Sequence, residues 1–185
     1  VDGKPFPTAL CIAINDEVVH GPALPSRKIF SGDIVGIDIG MEYKGFFTDT
    51  AITKLVGKTS SEAKKLIRVT EKALELAIEK AKPGATIGEL AQTIENYALS
   101  QGFLVVRDLG GHGVGRAVWE EPFIPNYLDE ENKNLNKIVL KPGMVIALEP
   151  MINAGSWEII TKKDGFTFAT EDGSFRGIVG RRPRA

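Results

Sequence analysis

The chain has 185 residues, with 23 Lys and Arg against 24 Asp and Glu, for a formal charge of -1. Hydrophobic residues make up 43% and charged residues 25%, ordinary globular composition and enough for one substantial core. The near-zero charge excludes a general nucleic-acid binder, and no apolar run approaches the ~20 residues of a membrane-spanning helix. A single cysteine, Cys11, allows no internal disulfide and no Cys-based zinc site, which fits a reducing cytosol.

In chain order, Leu10 to Ile14 reads as a strand and Asn15-Asp16 as its turn. Pro22, Pro25 and Ser26 mark a loop. Ile34 to Met41 is a strand interrupted by Gly36, Asp38 and Gly40, and a second strand runs from about Gly45 to Leu55. Thr59 and Glu62 have capping-box spacing, and Ala63, Leu66, Ile67, Ala73, Leu74, Ala77, Ile78 and Ala81 form a helical stripe that ends at Pro83-Gly84. Thr86 and Glu89 form a second capping box, and this helix closes at Gly102. A short strand from Phe103 to Val106 precedes the glycine-rich run Gly110 to Gly115. A polar loop spans about Pro125 to Lys137, and a strand runs from Met144 to Glu149. Glu158 to Thr161 and Phe166 to Ala169 read as a hairpin around Lys163-Asp164-Gly165. Strands and helices are mixed without regular βαβ alternation, which favours α+β with a largely antiparallel sheet.

The hairpin from Ile34 to Leu55 is the most informative local feature. With Tyr43-Lys44 as a two-residue loop, Asp38 falls directly opposite Asp49. Opposed like charges at ~4.5–5.5 Å between Cβ atoms destabilise a strand pair. Gly36, Gly40 and Ala51 leave room on that face, and Ile37 and Ile39 make the other face apolar. Two partly buried carboxylates need a proton or a cation, and oxygen ligands suit one or two divalent ions. A three-residue loop ending at Gly45 would instead carry Asp49 off the pair to a solvated face.

Two further residues complete an oxygen-rich set. His112 lies between Gly111 and Gly113, where the backbone can approach another group closely. Glu149 ends an apolar strand before Pro150. Taken singly, His112 reads as structural and Glu149 as emerging into solvent. Together with two aspartates they make a plausible hydrolytic metal site. The glycines around His112 match no phosphate-loop pattern.

On these residues the sequence resembles the methionine aminopeptidases, most closely the bacterial type I form, from about Phe6 to Phe175. The resemblance rests on Gly36-Ile-Asp-Ile-Gly40, Thr48-Asp-Thr50, Gly111-His-Gly-Val-Gly115 and Leu148-Glu-Pro150, four motifs in one order. It implies the α+β pita-bread fold, in which antiparallel sheet and flanking helices form two pseudo-symmetric halves around a metal site. It implies hydrolytic removal of the N-terminal methionine from nascent proteins, with two divalent ions such as Co, Mn, Fe or Zn. Asp38, Asp49, His112 and Glu149 would be metal ligands, with Glu149 also the proton shuttle. His20 would contact substrate and take part in catalysis, Trp119 would lie among the substrate-binding residues, and Phe6, Cys11 and Phe166 would line the methionine pocket. A cytoplasmic monomer is expected, acting on nascent chains in association with the ribosome, with no nucleic acid or membrane partner. A non-catalytic binding module of the same fold and a proline-specific aminopeptidase relative are the alternatives.

Three departures from the family pattern stand out. The family carries a segment ahead of the position of Val1, including a helix that packs on the sheet. The first residue here is Val1, with no signal-peptide pattern, which reads as a removed start or an internal piece. Trp119 stands where the family has a histidine that stabilises the oxyanion or binds substrate. Beyond Phe175 the family continues into a strand with a Glu-His-Thr motif whose glutamate bridges both metals. Here residues 176–185 hold four of the eight arginines and no acid, so the first 175 residues carry -5 and the tail +4. The tail reads either as a solvated basic terminus or as a sequence foreign to the fold, such as a changed reading frame. The expected division is a partial metallo-aminopeptidase domain over 1–175 and a divergent basic tail over 176–185, a fold incomplete at both ends. The expected consequences are weak or single-ion metal binding and impaired activity.

Overall fold

The computed structural model describes residues 5–180. The elements follow in the order β1 (Cys11–Ile14), β2 (Glu17–Val19), β3 (Ile34–Tyr43), β4 (Phe46–Leu55), α1 (Ser61–Lys80), α2 (Ile87–Ser100), β5 (Leu104–Val105), β6 (Gly110–Gly113), β7 (Glu120–Pro125), α3 (Lys133–Asn136), β8 (Ile146–Ala147), β9 (Met151–Asn153), β10 (Ile159–Thr161), β11 (Phe168–Thr170) and β12 (Arg176–Ile178). The strands form four three-stranded sheets, β1-β3-β4, β10-β11-β2, β12-β9-β5 and β7-β6-β8. Every pairing among the described residues is antiparallel.

The two long helices cover the sheets. Helix α1 buries Leu66, Val69, Ala73, Leu74 and Ala77, and α2 buries Ile87, Leu90, Ala91, Ile94 and Ala98. These faces meet Phe103, Val105, Ile124, Leu140, Ile146, Leu148 and Ile152 in the main core. The periodicity that predicts both helices is therefore the packing itself. Helix α2 starts with the expected capping box between Thr86 and Glu89. Helix α1 starts one residue later than its pattern predicts. Its cap is Ser60, whose hydroxyl accepts from the Ala63 amide at 3.0 Å. Among the described residues no helix is long and apolar enough to cross a membrane.

The hairpin register corrects the predicted one. Tyr43 pairs with Phe46, so the loop is Lys44-Gly45, with φ of 52° and 76°. Positive φ at both central residues is the type I′ geometry that matches strand twist, and Gly45 adopts it without strain. Asp38 therefore faces Ala51, and Asp49 faces Gly40. The aspartates are diagonal neighbours on one face, offset by two residues, rather than directly opposed.

The predicted boundary at Phe175 also falls inside paired structure. Strand β12 begins at Arg176 and pairs with β9 through Arg176–Asn153, Gly177–Ile152 and Ile178–Met151. It also lies along β4: Thr53 exchanges hydrogen bonds with Ile178, and Gly180 bridges Ala51 through both backbone groups. Arg176, Ile178 and Val179 are buried. The apolar pair Ile178-Val179 and the small residues Gly177 and Gly180 let this segment dock despite the basic composition around it. The remaining tail arginines lie outside the described residues.

Candidate metal centre

Four elements converge on one cavity of about 850 Å³. Strands β3 and β4 supply Asp38 and Asp49, β6 supplies His112, and the turn between β8 and β9 supplies Glu149. All nine residues singled out in the sequence (Phe6, Cys11, His20, Asp38, Asp49, His112, Trp119, Glu149 and Phe166) line this cavity.

The tightest group is Asp49, His112 and Glu149, with one ligand atom from each lying within 4.8 Å of the others. His112 Nε2 is 3.2 Å from Glu149 Oε1 and 3.6 Å from Asp49 Oδ2. The other ring nitrogen, Nδ1, lies 2.8 Å from the Gly113 carbonyl oxygen, an acceptor only. Nδ1 therefore carries the proton, and in the neutral ring the Nε2 lone pair faces both carboxylates. Glu149 Oε1 is buried and has no hydrogen-bond donor. Acceptors pointed at one another in this way require a proton or a cation between them. Metal–ligand bonds of about 2.1 Å place neighbouring ligand atoms roughly 3.0–3.4 Å apart; the His112–Glu149 distance of 3.2 Å lies in that range and the His112–Asp49 distance of 3.6 Å just beyond it.

The electrostatics agree. Burial, then the charges of Asp49 and Glu149, push the Asp38 carboxyl up to about 8. Burial likewise raises Glu149, with the Asp49 charge adding to it and His112 opposing. Burial works against charge on His112, but the carboxylates of Asp49 and Glu149 hold the ring up at about 10. The cluster thus retains protons that a metal ion would displace. Asp38 lies outside the three-residue group and approaches it through Asp49.

The walls are apolar and aromatic. Phe6 and Phe166 meet edge to face at 5.6 Å between ring centroids. Cys11 pairs with Asp38 across β1 and β3, and burial pushes its thiol up to about 12, so it serves as a neutral wall. His20 follows β2 in a left-handed conformation at φ 58°. Burial lowers its pKa, which favours the neutral imidazole. Trp119 is 68% exposed at the rim, 6.4 Å from the His20 ring and 6.3 Å from the His112 ring.

Two contributors escape the sequence reading. Phe168 stacks edge to face on His20 at 5.7 Å and lies two residues from Phe166, so strand periodicity is a signal that finds it. Gly180 carries no such signal. A Cβ placed on it would stand 3.3 Å from both Ala51 Cβ and Glu149 Cγ, so its missing side chain faces the cluster.

Comparison with known proteins agrees with this geometry. The family model described as Metallopeptidase family M24 matches residues 1–177. A methionine aminopeptidase of Aquifex aeolicus is 47% identical over 91% of this chain, which spans 65% of that relative's length. A crystal structure of a methionine aminopeptidase from Thermotoga maritima superposes with a TM-score of 0.89 at 42% identity, covering 94% of this chain and 68% of that one. A recombinant prolidase from Thermococcus sibiricus superposes at 0.69 with 26% identity, covering 94% of this chain and 41% of that one. The architecture is the pita-bread fold shared by these proteins, and the chain belongs to metallopeptidase family M24.

Proposed function

We propose that this chain is a methionine aminopeptidase that hydrolyses the first peptide bond of nascent proteins, at a rate well below that of its relatives. The observation that carries this reading is the Asp49–His112–Glu149 group at the base of an apolar, sulfur-lined cavity. A divalent ion bound there would polarise the scissile carbonyl and acidify a water. Asp49, His112 and Glu149 would hold it, with Asp38 beside them on the hairpin. Co, Mn, Fe and Zn all suit this mixed nitrogen and oxygen donor set, for one or two ions.

The chain's own residues take the remaining roles. Glu149, raised by burial, is the group suited to accept and return a proton at the attacking water. Phe6, Cys11 and Phe166 would grip the thioether through soft, apolar contacts. His20, kept neutral by burial, would hydrogen-bond the substrate, with Trp119 on the opposite rim. Indole offers one N–H donor and no titratable proton near neutrality, so it replaces a histidine poorly. The partner is the N-terminal methionine of a nascent chain. A cytoplasmic monomer working beside the ribosome fits that substrate.

The test is turnover of a Met-Ala peptide with added Co²⁺ or Mn²⁺, alongside a complete relative. Metal-dependent release of methionine at a small fraction of the relative's rate supports the proposal. Equal rates overturn the impairment, and no release with intact metal binding favours a binding module. The prolidase superposition motivates one more arm: faster cleavage of an Xaa-Pro dipeptide than of Met-Ala would shift the substrate class.

A further inference from the structure

The cavity carries charge of one sign. Carboxylates of Asp38, Asp49, Asp108, Glu120, Glu121 and Glu149 line it, and among the described residues no lysine or arginine does. Asp38, Asp49 and Glu149 belong to the metal centre. Asp108, Glu120 and Glu121 are exposed at the mouth, together with the indole of Trp119.

The arginines of the same segments are held elsewhere. Arg107, next to Asp108, stacks on the Tyr127 and Trp157 rings at 5.3 and 5.1 Å. Arg116, three residues before Trp119, lies over the Phe46 ring at 5.0 Å. Glu120 is used locally, because its carboxylate accepts from the Arg116 and Ala117 amides. Asp108 and Glu121 join no ion pair among the described residues. An exposed indole face beside unpaired carboxylates attracts a cation, through the ring quadrupole and through charge.

Spacing sets where along a peptide that surface acts. The indole centroid is 6.3 Å from the His112 ring, whose Nε2 faces the other ligands of the metal group. An extended chain advances ~3.3–3.6 Å per residue, so a peptide cleaved at that group reaches the indole about two residues past the cleaved bond. The side chain there belongs to the third residue of the substrate.

We propose that Trp119, with Asp108 and Glu121, forms a subsite for a lysine or arginine at the third position of the peptide. This rests on the aminopeptidase reading above and deepens it, because it names the N termini this chain prefers. The indole then takes part in choosing the substrate, separately from its effect on rate.

The test compares Met-Ala-Lys with Met-Ala-Glu in two measurements. Binding is read from Trp119 fluorescence in a metal-stripped Trp157→Phe chain, in which Trp119 is the one remaining indole. Turnover is read as methionine release by the parent chain with Mn²⁺. Met-Ala-Lys should bind and react roughly five- to tenfold better, and the ratio should shrink toward one at about 0.5 M salt, where exposed charges are screened. Glu121→Gln and Trp119→Leu, followed by calorimetry, should each cut the binding ratio roughly two- to threefold. Equal binding of the two peptides, or binding of neither, overturns the subsite whatever the rates. A ratio unchanged in both variants overturns the assignment to these residues. A lysine preference in binding, with no methionine released from either peptide, keeps the subsite and overturns the aminopeptidase reading.

Discussion

Asp38 stands opposite Ala51 in the β3–β4 hairpin, one step diagonal from Asp49 on the same face. The offset lets one carboxylate keep a proton for the other while both remain over the cavity. It also makes the ionisation of Asp38 depend on the folded state, with its pKa raised from 3.8 to about 8.

That shift sets a pH dependence. A carboxyl with a raised folded pKa binds more protons when folded than when unfolded, so its contribution to stability falls as pH rises from about 4 to about 8. Denaturant unfolding of the metal-free protein at pH 6 and 8 should show this loss. Asp38→Asn should flatten the slope by on the order of 1–3 kcal/mol across that window. An unchanged slope in the variant would show that Asp38 is not the titrating group.

Glu149→Gln tests the proton-transfer role. The amide keeps the shape but loses the charge and the basicity at a buried, donor-free oxygen. The rate on Met-Ala should fall by roughly 10²–10⁴, and Mn²⁺ affinity should fall with it. A retained rate would remove Glu149 from the chemistry.

Trp119→His should raise activity. The indole stands between the His20 and His112 rings at the rim, and it is largely exposed, so the change costs little packing. One well-placed donor to a developing oxyanion is worth about 10²–10³ in rate, and a gain of roughly tenfold in kcat/KM is expected for a partly aligned one. A rate no higher than the parent's would mean that the rim donor is not what limits this chain.

Gly180→Glu should strengthen metal binding. Its Cβ would lie 3.2–3.3 Å from Ala51 and Glu149 atoms, so the neighbours must yield slightly, and melting should drop by a few degrees. The new carboxylate would point toward Glu149, and Mn²⁺ affinity by calorimetry should rise roughly tenfold or more. Combined with Trp119→His, the gains in turnover should multiply if the two sites act independently. Weaker Mn²⁺ binding in Gly180→Glu would place the glycine outside the metal's reach.

The sequence by itself determined the two helices, because their apolar stripes and the Thr86–Glu89 cap are local patterns with a single solution. It also singled out Asp38, Asp49, His112 and Glu149 as candidates, because four motifs occur in one order although His112 and Glu149 are unremarkable taken singly. Tertiary structure decided how they combine. The hairpin register turned on whether the left-handed turn fell at Tyr43-Lys44 or Lys44-Gly45, a one-residue difference that side-chain alternation alone does not separate. Cap position in α1 turned on whether Thr59 or Ser60 reached the helix amides. The basic tail depended most on its surroundings. Composition marks Arg176 as a solvent-facing residue, and only the glycine at position 36 and the pairing of β12 with β9 make room for its guanidinium in the interior. The net charge of -1 therefore averages an acidic body with a basic tail whose first arginine is buried against Gly36 of the hairpin. Burial strips that arginine of water, and the Glu17 backbone oxygen accepts one of the hydrogen bonds the water would have taken.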